Sequence, residues 1–583
     1  MTKWNLKPLY DSPEDPRIET DMKQIEQAAL DFAGKYDIPE KDYLSDSSKL
    51  SRVLADYEKL MVLFDGKPLL YFLYVRCLDS SNNQVAAKIA LFSERLTKSV
   101  NAVKFLELSL GKIAKQKQKE FLADSKLGHF KYFLKCIFDD AKHHLSLQEE
   151  KIVALKSLPS HEMWVSQNDK LLNAKMVKWR GKEIAVNEAL NLVSEQKTAH
   201  DRKKLSGVLT TALKNVSEFS EGEINAIYTN KKIDDELRGF SKPYEETVLQ
   251  YRNDLEVVET LRKVVADNFA VSHKFYAIKA KLLKQKKLSY SDRSAKIGIV
   301  AKKFPFDKSV SLLKEIFGRV DGKYEKFLDS YVKNGEVDAF PKKGKKGGAF
   351  CSATFTTPVY ILLNHVDSLR SFETLAHELG HAFHSELSRG EGALYSSYSL
   401  SLAETASTLF EAISSEALLE QMTKKEKVIA LHDKINGDIA TVFRQIACFN
   451  FELDLHTAVR TKGFVPKEEI AQLHNKNMKA YLGPKFELDH DDGYMFVQWS
   501  HIRRFFYVYS YAYGLLVSKA LLRRYRSDPS FWQSIEKFLS AGGKDSPENI
   551  LKEIGIDVRS PEFFLEGIRE IEDDVKKLEE LVR

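Results

Sequence analysis

Cysteine is scarce: Cys77, Cys136, Cys351 and Cys448 stand far apart in a chain of 583 residues and form no CxxC pair. That spacing argues against a disulfide framework and against a thiolate metal site. It fits a reducing compartment, with the cysteines serving as small buried hydrophobes. No stretch approaches the roughly 18 uninterrupted apolar residues that a membrane span needs. The opening Met1-Thr2-Lys3-Trp4-Asn5-Leu6-Lys7 lacks the apolar core of a signal peptide, so a cytoplasmic location without membrane contact is expected. Charge of one sign is also lacking. The 89 basic residues nearly match the 83 acidic ones, and the net +6 is spread thinly. A nucleic-acid partner, which needs a concentrated basic face, is therefore not expected. The densest basic run, Lys342, Lys343, Lys345 and Lys346, reads as a solvated loop.

Glycine and proline are thin between about Asp21 and Leu288, where apolar residues recur at three- and four-residue spacings among many charges. That is the pattern of amphipathic helices, broken by turns at Asp65-Gly66-Lys67-Pro68, Leu158-Pro159-Ser160 and Arg180-Gly181-Lys182. The texture changes after Gly335. Two extended runs, Ala349–Phe355 and Val359–Leu363, flank Thr357-Pro358 and predict two short strands, a hairpin by their spacing. Either strand offers an edge to an extended peptide, or both are core. From Ser371 to Arg583 the pattern is helical again, so the expected fold is mainly α with a small β element.

The segment from Ser371 to His384 contains HExxH as His377-Glu378-Leu379-Gly380-His381. Ser371 is the expected N-cap, and Glu373 favours the positive end of the helix. His377 and His381 lie one turn apart and project from one face, where they can share a zinc ion. Glu378, about 100° round the helix, reaches the open side of the metal, takes a proton from metal-bound water and returns it to the leaving amine. The third ligand decides the class. A metzincin would place Gly at 384 and His at 387, but His384 and Leu387 stand there. Glu404, in Leu402-Ala403-Glu404-Thr405-Ala406-Ser407-Thr408, is the expected third ligand, with His384 as runner-up. Glu411 lies two turns beyond Glu404. It reads either as a partner that orients a histidine, as do Ser407 and Thr408, or as an unrelated charge on that helix.

A second constellation stands near the C-terminus: His501 followed by Tyr507, Tyr509, Tyr511 and Tyr513. Amide hydrolysis builds negative charge on the carbonyl oxygen, and phenol and imidazole donors aimed there stabilise it. Tyr507 and Tyr511 share one helical face, whereas Tyr509 and Tyr513 share another. Which pair faces the cleft and which packs in the core is left open.

With these residues in view, the chain closely resembles oligoendopeptidase F and its relatives among the thimet-oligopeptidase-like (M3) peptidases, over essentially its whole length. The likeness is carried by Trp4-Asn5-Leu6 through Tyr10, His143-His144-Leu145-Ser146, Gly348-Ala349-Phe350 and Tyr360–Asn364. It is strongest at His377–His384, Ala403–Thr408, Phe451-Glu452-Leu453-Asp454-Leu455-His456, and His501 with Tyr507–Ala512. The resemblance implies one Zn2+ per chain on His377, His381 and Glu404, a catalytic Glu378, and substrate-stabilising roles for His501, Tyr507 and Tyr511. It implies a helical fold of two halves around a deep channel, with a small β-sheet next to the HExxH helix. It also implies an N-terminal helical region over residues 1–200 and a catalytic domain over 201–583. Relatives often have Pro and aromatic residues after the histidine. Ile502-Arg503-Arg504 stands here instead, which leaves the tyrosine register open and points to acidic or carboxylate-bearing peptides. The expected function is a zinc-dependent oligoendopeptidase that cuts internal bonds of short unstructured peptides. A carboxypeptidase that reads the terminal carboxylate through Arg503 or Arg504 is the near alternative, and a catalytically silent peptide binder the distant one.

Overall fold

The amphipathic spacing does build the chain mainly from helices, as the computed structural model, which describes residues 2–583, makes plain. The last helix, Pro561–Val582, illustrates the rule. Pro561 opens it with a preset φ, and Phe564, Ile568, Ile571, Val575 and Leu578 form one buried stripe. The largest apolar core runs from Leu172 to Leu578, and a second gathers residues from Ala29 to Phe138. A third joins Trp4, Leu9 and Tyr10 to Phe72, Tyr74, Tyr360 and Leu362.

The sheet beside the HExxH helix has three strands: β1 (Val337–Asp338), β2 (Phe350–Ser352) and β3 (Tyr360–Leu362). β3 is central, parallel to β1 and antiparallel to β2, with Cys351 opposite Ile361. The two strands expected from the sequence are therefore present and paired, and β1 is an addition. Of the two expected strands, β2 lies at an edge of the sheet, as β1 does on the opposite side. β3 is flanked on both sides and cannot offer its backbone to a peptide. The N-terminal segment straps this sheet down. Trp4 donates its indole N–H to the Ile361 carbonyl (2.8 Å), Asn5 N–H bonds Gly335 O (2.6 Å), and Tyr360 OH bonds Asn5 O (3.0 Å).

The HExxH helix, α1 (Leu369–Ser388), begins earlier than its sequence suggests. Ser368, in extended conformation, is the N-cap, and its Oγ accepts from Ser371 N–H at 3.1 Å. Ser371 lies inside the first turn, and its Oγ accepts from Val366 N–H. Glu373 accordingly sits beyond the first turn and faces Glu411 rather than the dipole. Burial, reinforced by the Glu411 charge, pushes its carboxyl up to about 8. Phe372, Leu375, Leu379 and Phe383 anchor α1 in the main core, with Phe383 against Phe410 at 4.9 Å and Tyr324 at 5.0 Å between ring centroids.

Candidate metal centre

The helix α2 (Leu400–Glu420) brings Glu404 to the two histidines, and glycine permits the approach. A Cβ at Gly380 would stand 2.6 Å from Ser407 Cα and 2.7 Å from Ala406 O, so only glycine lets α1 lie against the α2 backbone. His377 Nε2 lies 3.2 Å and His381 Nε2 3.8 Å from Glu404 Oε2, and one ligand atom from each residue falls within 4.8 Å of the others.

Each donor is held from behind. Glu411 Oε2 stands 2.9 Å from His377 Nδ1, which leaves Nε2 to face Glu404. The Ala403 carbonyl accepts from the His381 ring. Ser407 Oγ donates to Glu404 Oε2 at 3.1 Å, and Thr408 Oγ1 to the Glu404 carbonyl at 2.6 Å. Burial opposes a charge on His377, but the Glu404 and Glu411 carboxylates outweigh it and raise its pKa to about 10. Burial would also raise Glu404; the two histidines reverse this and bring it to about 2. Burial takes His381 down to about 4. Two oriented imidazoles and a carboxylate converging on one point, backed by a second carboxylate, suit a divalent cation in both geometry and charge.

Glu378 faces the same cavity, of about 480 Å³, whose floor is His377, Glu378, His381 and Glu404. One wall is Ala349–Ala353, which contains the edge strand β2, and the other includes Ser385 and Tyr398. The Cys351 N–H donates to the Glu378 carboxylate, yet burial prevails and pushes that carboxyl up to about 7. His384, the runner-up ligand, is not in the set. It is buried and stacked face to face on Tyr398 at 3.6 Å.

His501, Tyr507 and Tyr511 form a second group that does not line this cavity. His501 Nδ1 lies 2.5 Å from Tyr507 OH, and the Tyr507 and Tyr511 rings are 5.6 Å apart. The register is resolved: Tyr507 and Tyr511 are half-buried, whereas Tyr509 and Tyr513 are core, with Tyr509 OH donating to Asn253 Oδ1. The link to the metal residues is steric. Gly514, one turn after Tyr511, packs against Glu404, where a Cβ would stand 3.2 Å from that of Glu404.

Tyr507 precedes its helix, because Phe505 and Phe506 are both left-handed (φ 41° and 62°). Glu452, on α3 (Phe443–Lys462), holds this turn by accepting from Phe506 N–H at 2.7 Å while fully buried. The sequence carried Glu452 only inside a family motif; its pairing with a turn 54 residues away has no local signal. Arg503 corrects an expectation. It is buried, paired through Nη2 to Glu223 at 2.7 Å, and donates to the carbonyls of Phe496, Val497 and Trp499, so it is closed to substrate. Arg504 is exposed.

Comparison with known proteins bears on this arrangement. A sequence model described as "Peptidase family M3" matches residues 194–570, and one described as "Oligopeptidase F" matches residues 110–177. An oligoendopeptidase F homolog of Borreliella burgdorferi is 27% identical, over 95% of this chain and 94% of the relative. A crystal structure of a Chlamydophila abortus protein described as a peptidase superposes with TM-score 0.86 at 21% identity, covering 100% of this chain and 98% of the other. Oligoendopeptidase-F from Enterococcus faecium superposes with TM-score 0.69 at 19% identity, covering 97% of each chain. Together with a His377–His381–Glu404 group that could hold a metal ion, these matches define a metalloendopeptidase, an enzyme that hydrolyses peptides. The chain belongs to peptidase family M3. Among the described residues, no helix is long and apolar enough to cross a membrane.

Proposed function

We propose that the chain is a zinc oligoendopeptidase whose catalytic part is residues 201–583. The observation that carries this reading is the convergence of His377, His381 and Glu404 on one point of a cavity that Glu378 also faces. Zinc held by these three would polarise the scissile carbonyl and make an attacking water more acidic. Glu378, with a carboxyl raised to about 7 by burial, is suited to take that water's proton and deliver it to the leaving amine. Glu411 fixes the tautomer of His377. The edge of β2 aligns the peptide backbone, while Tyr507, oriented by His501, and Tyr511 are the donors assigned to the developing oxyanion. Both stand outside the cavity wall, Tyr511 one turn before the Gly514 that packs on Glu404, so a bound peptide has to span the two groups.

Mass-spectrometric mapping of fragments from short peptides, with free and amidated C-termini, tests this. Internal cuts in both forms are expected, lost with a chelator and in Glu378→Gln, while that variant still binds zinc. Cuts confined to free C-termini would move the assignment to a carboxypeptidase. No cuts from zinc-loaded, folded enzyme would leave a silent peptide binder.

A further inference from the structure

We propose that Arg444 is a carboxylate-binding subsite, set on Trp499 beside the His501–Tyr507 pair, that selects peptides carrying an anionic group near the cleaved bond. The proposal rests on the reading of His501 and Tyr507 given above and names a substrate preference for that site.

Buried N–H groups in folded proteins are almost always matched to acceptors. Here two neighbouring ones are not. The Arg444 guanidinium lies over the Trp499 ring, 4.9 Å from its centroid. Arg444 Nε and Trp499 Nε1 are both buried, and neither has an acceptor among the described residues. Nor does any aspartate or glutamate among them pair with Arg444. The contrast with Arg503 is direct, since that guanidinium has a carboxylate and three carbonyls.

The unspent donors sit against the substrate-facing group: the Trp499 ring is 6.4 Å from that of His501, which bonds Tyr507. Arg504 is exposed, makes no ion pair among the described residues and adds a second positive charge there. Burial, then the charges of Arg444 and Arg504, hold His501 down at about 4. With His501 neutral, Arg444 and Arg504 are the cations whose charge acts at this group.

Guanidinium suits a planar anion, because its N–H edge meets both oxygens of a carboxylate. In a peptide that carboxylate is either the C-terminus or an Asp or Glu side chain, and the same edge accepts both. Held on an indole face, the guanidinium has little rotamer freedom left to lose on binding.

The test uses the zinc-loaded full-length enzyme and three peptides sharing one scissile sequence: neutral and C-terminally amidated, neutral with a free C-terminus, and amidated with one glutamate. Wild type should cleave at least one of the carboxylate-bearing peptides with kcat/KM at least tenfold above the neutral amide; which one tells the source. Arg444→Gln should bring that ratio close to one, and Arg444→Lys, which keeps the charge but loses the paired N–H edge, should fall between. A wild-type ratio near one overturns the proposal without any variant having to fold. So does a ratio in folded Arg444→Gln equal to that of wild type. Failure of wild type to cut any of the three would instead strike the endopeptidase reading itself.

Discussion

Gly380→Ala is a small change whose consequence can be worked from distances. The added Cβ would stand 2.6 Å from Ser407 Cα and 2.7 Å from Ala406 O, both backbone atoms that no rotamer change can move aside. Restoring a carbon contact of about 3.5 Å requires the two helices to part by roughly 1 Å. Glu404 is one turn from Ser407 on the same helix and moves with it. A metal site tolerates only about 0.2 Å in ligand distance. The helix-propensity gain of alanine over glycine, about 1 kcal/mol, offsets part of an overpacking cost of about 1–3 kcal/mol. Folding stability should therefore fall only modestly, while zinc affinity falls by about 10- to 100-fold, the range seen when ligand orientation is lost. Zinc competition against a chelating dye, with thermal unfolding in excess chelator, separates the two effects. Gly437, inside the helix Lys424–Thr441, is the control. Nothing lies within 4 Å of its would-be Cβ, so Gly437→Ala should stabilise by about 0.5–1 kcal/mol and leave zinc binding alone. Wild-type zinc affinity in Gly380→Ala would refute the argument that close approach of α1 and α2 builds the centre.

Glu411→Ala should loosen His377 and lower zinc affinity about 10- to 100-fold, read by the same dye competition; unchanged affinity would mean that the 2.9 Å contact does not orient the ring. Glu452 is pushed by burial up to about 8, so at neutral pH it is a neutral acceptor for Phe506 N–H. Glu452→Gln should keep most activity, whereas Glu452→Leu, which frees a turn of two left-handed residues costing about 1–2 kcal/mol each, should lower kcat with KM little changed. In a Tyr507→Phe background the Leu variant should cost no further kcat, and additive losses would argue for a general packing defect. Lys279 is buried, and desolvation lowers its pKa to about 7 despite bonds to Arg293 O and Asn436 Oδ1. Between about pH 7 and its ordinary value near 10.5 the unfolded chain binds the extra proton, so stability from this group rises with pH over that window. Urea midpoints of Lys279→Met should lose that rise, and an unaltered pH slope would refute the assignment.

The convergence of His377, His381 and Glu404 is legible in the sequence because it is local. His377 and His381 need only one helix, and Glu404 only the next. The role of Glu411 is not legible in the sequence because it depends on how α2 registers on α1, and that is set by a glycine contact with no sequence period. The N-cap lies three residues before the expected Ser371 because Ser368 and Ser371 both precede an apolar run; backbone conformation alone separates them. The hairpin was visible from its β-branched and aromatic residues, while β1, two residues long, carried too little pattern to be seen. Arg503 looked like a substrate ligand because its partner, Glu223, lies 280 positions away. The two tyrosine pairs do separate by burial, but Tyr507 lies before the helix, so helical spacing alone does not place it, and which pair is buried depends on the whole core.

The strap of Trp4 and Asn5 across the sheet has a consequence for synthesis. The indole of Trp4 and the carbonyl it bonds are 357 residues apart. At about 5–20 residues per second that interval is roughly 20 to 70 s on the ribosome. Throughout it, Trp4, buried in the finished protein, lacks the strand it covers. The wall that carries β2 beside Glu378 thus closes through a contact whose two halves are made 357 residues apart.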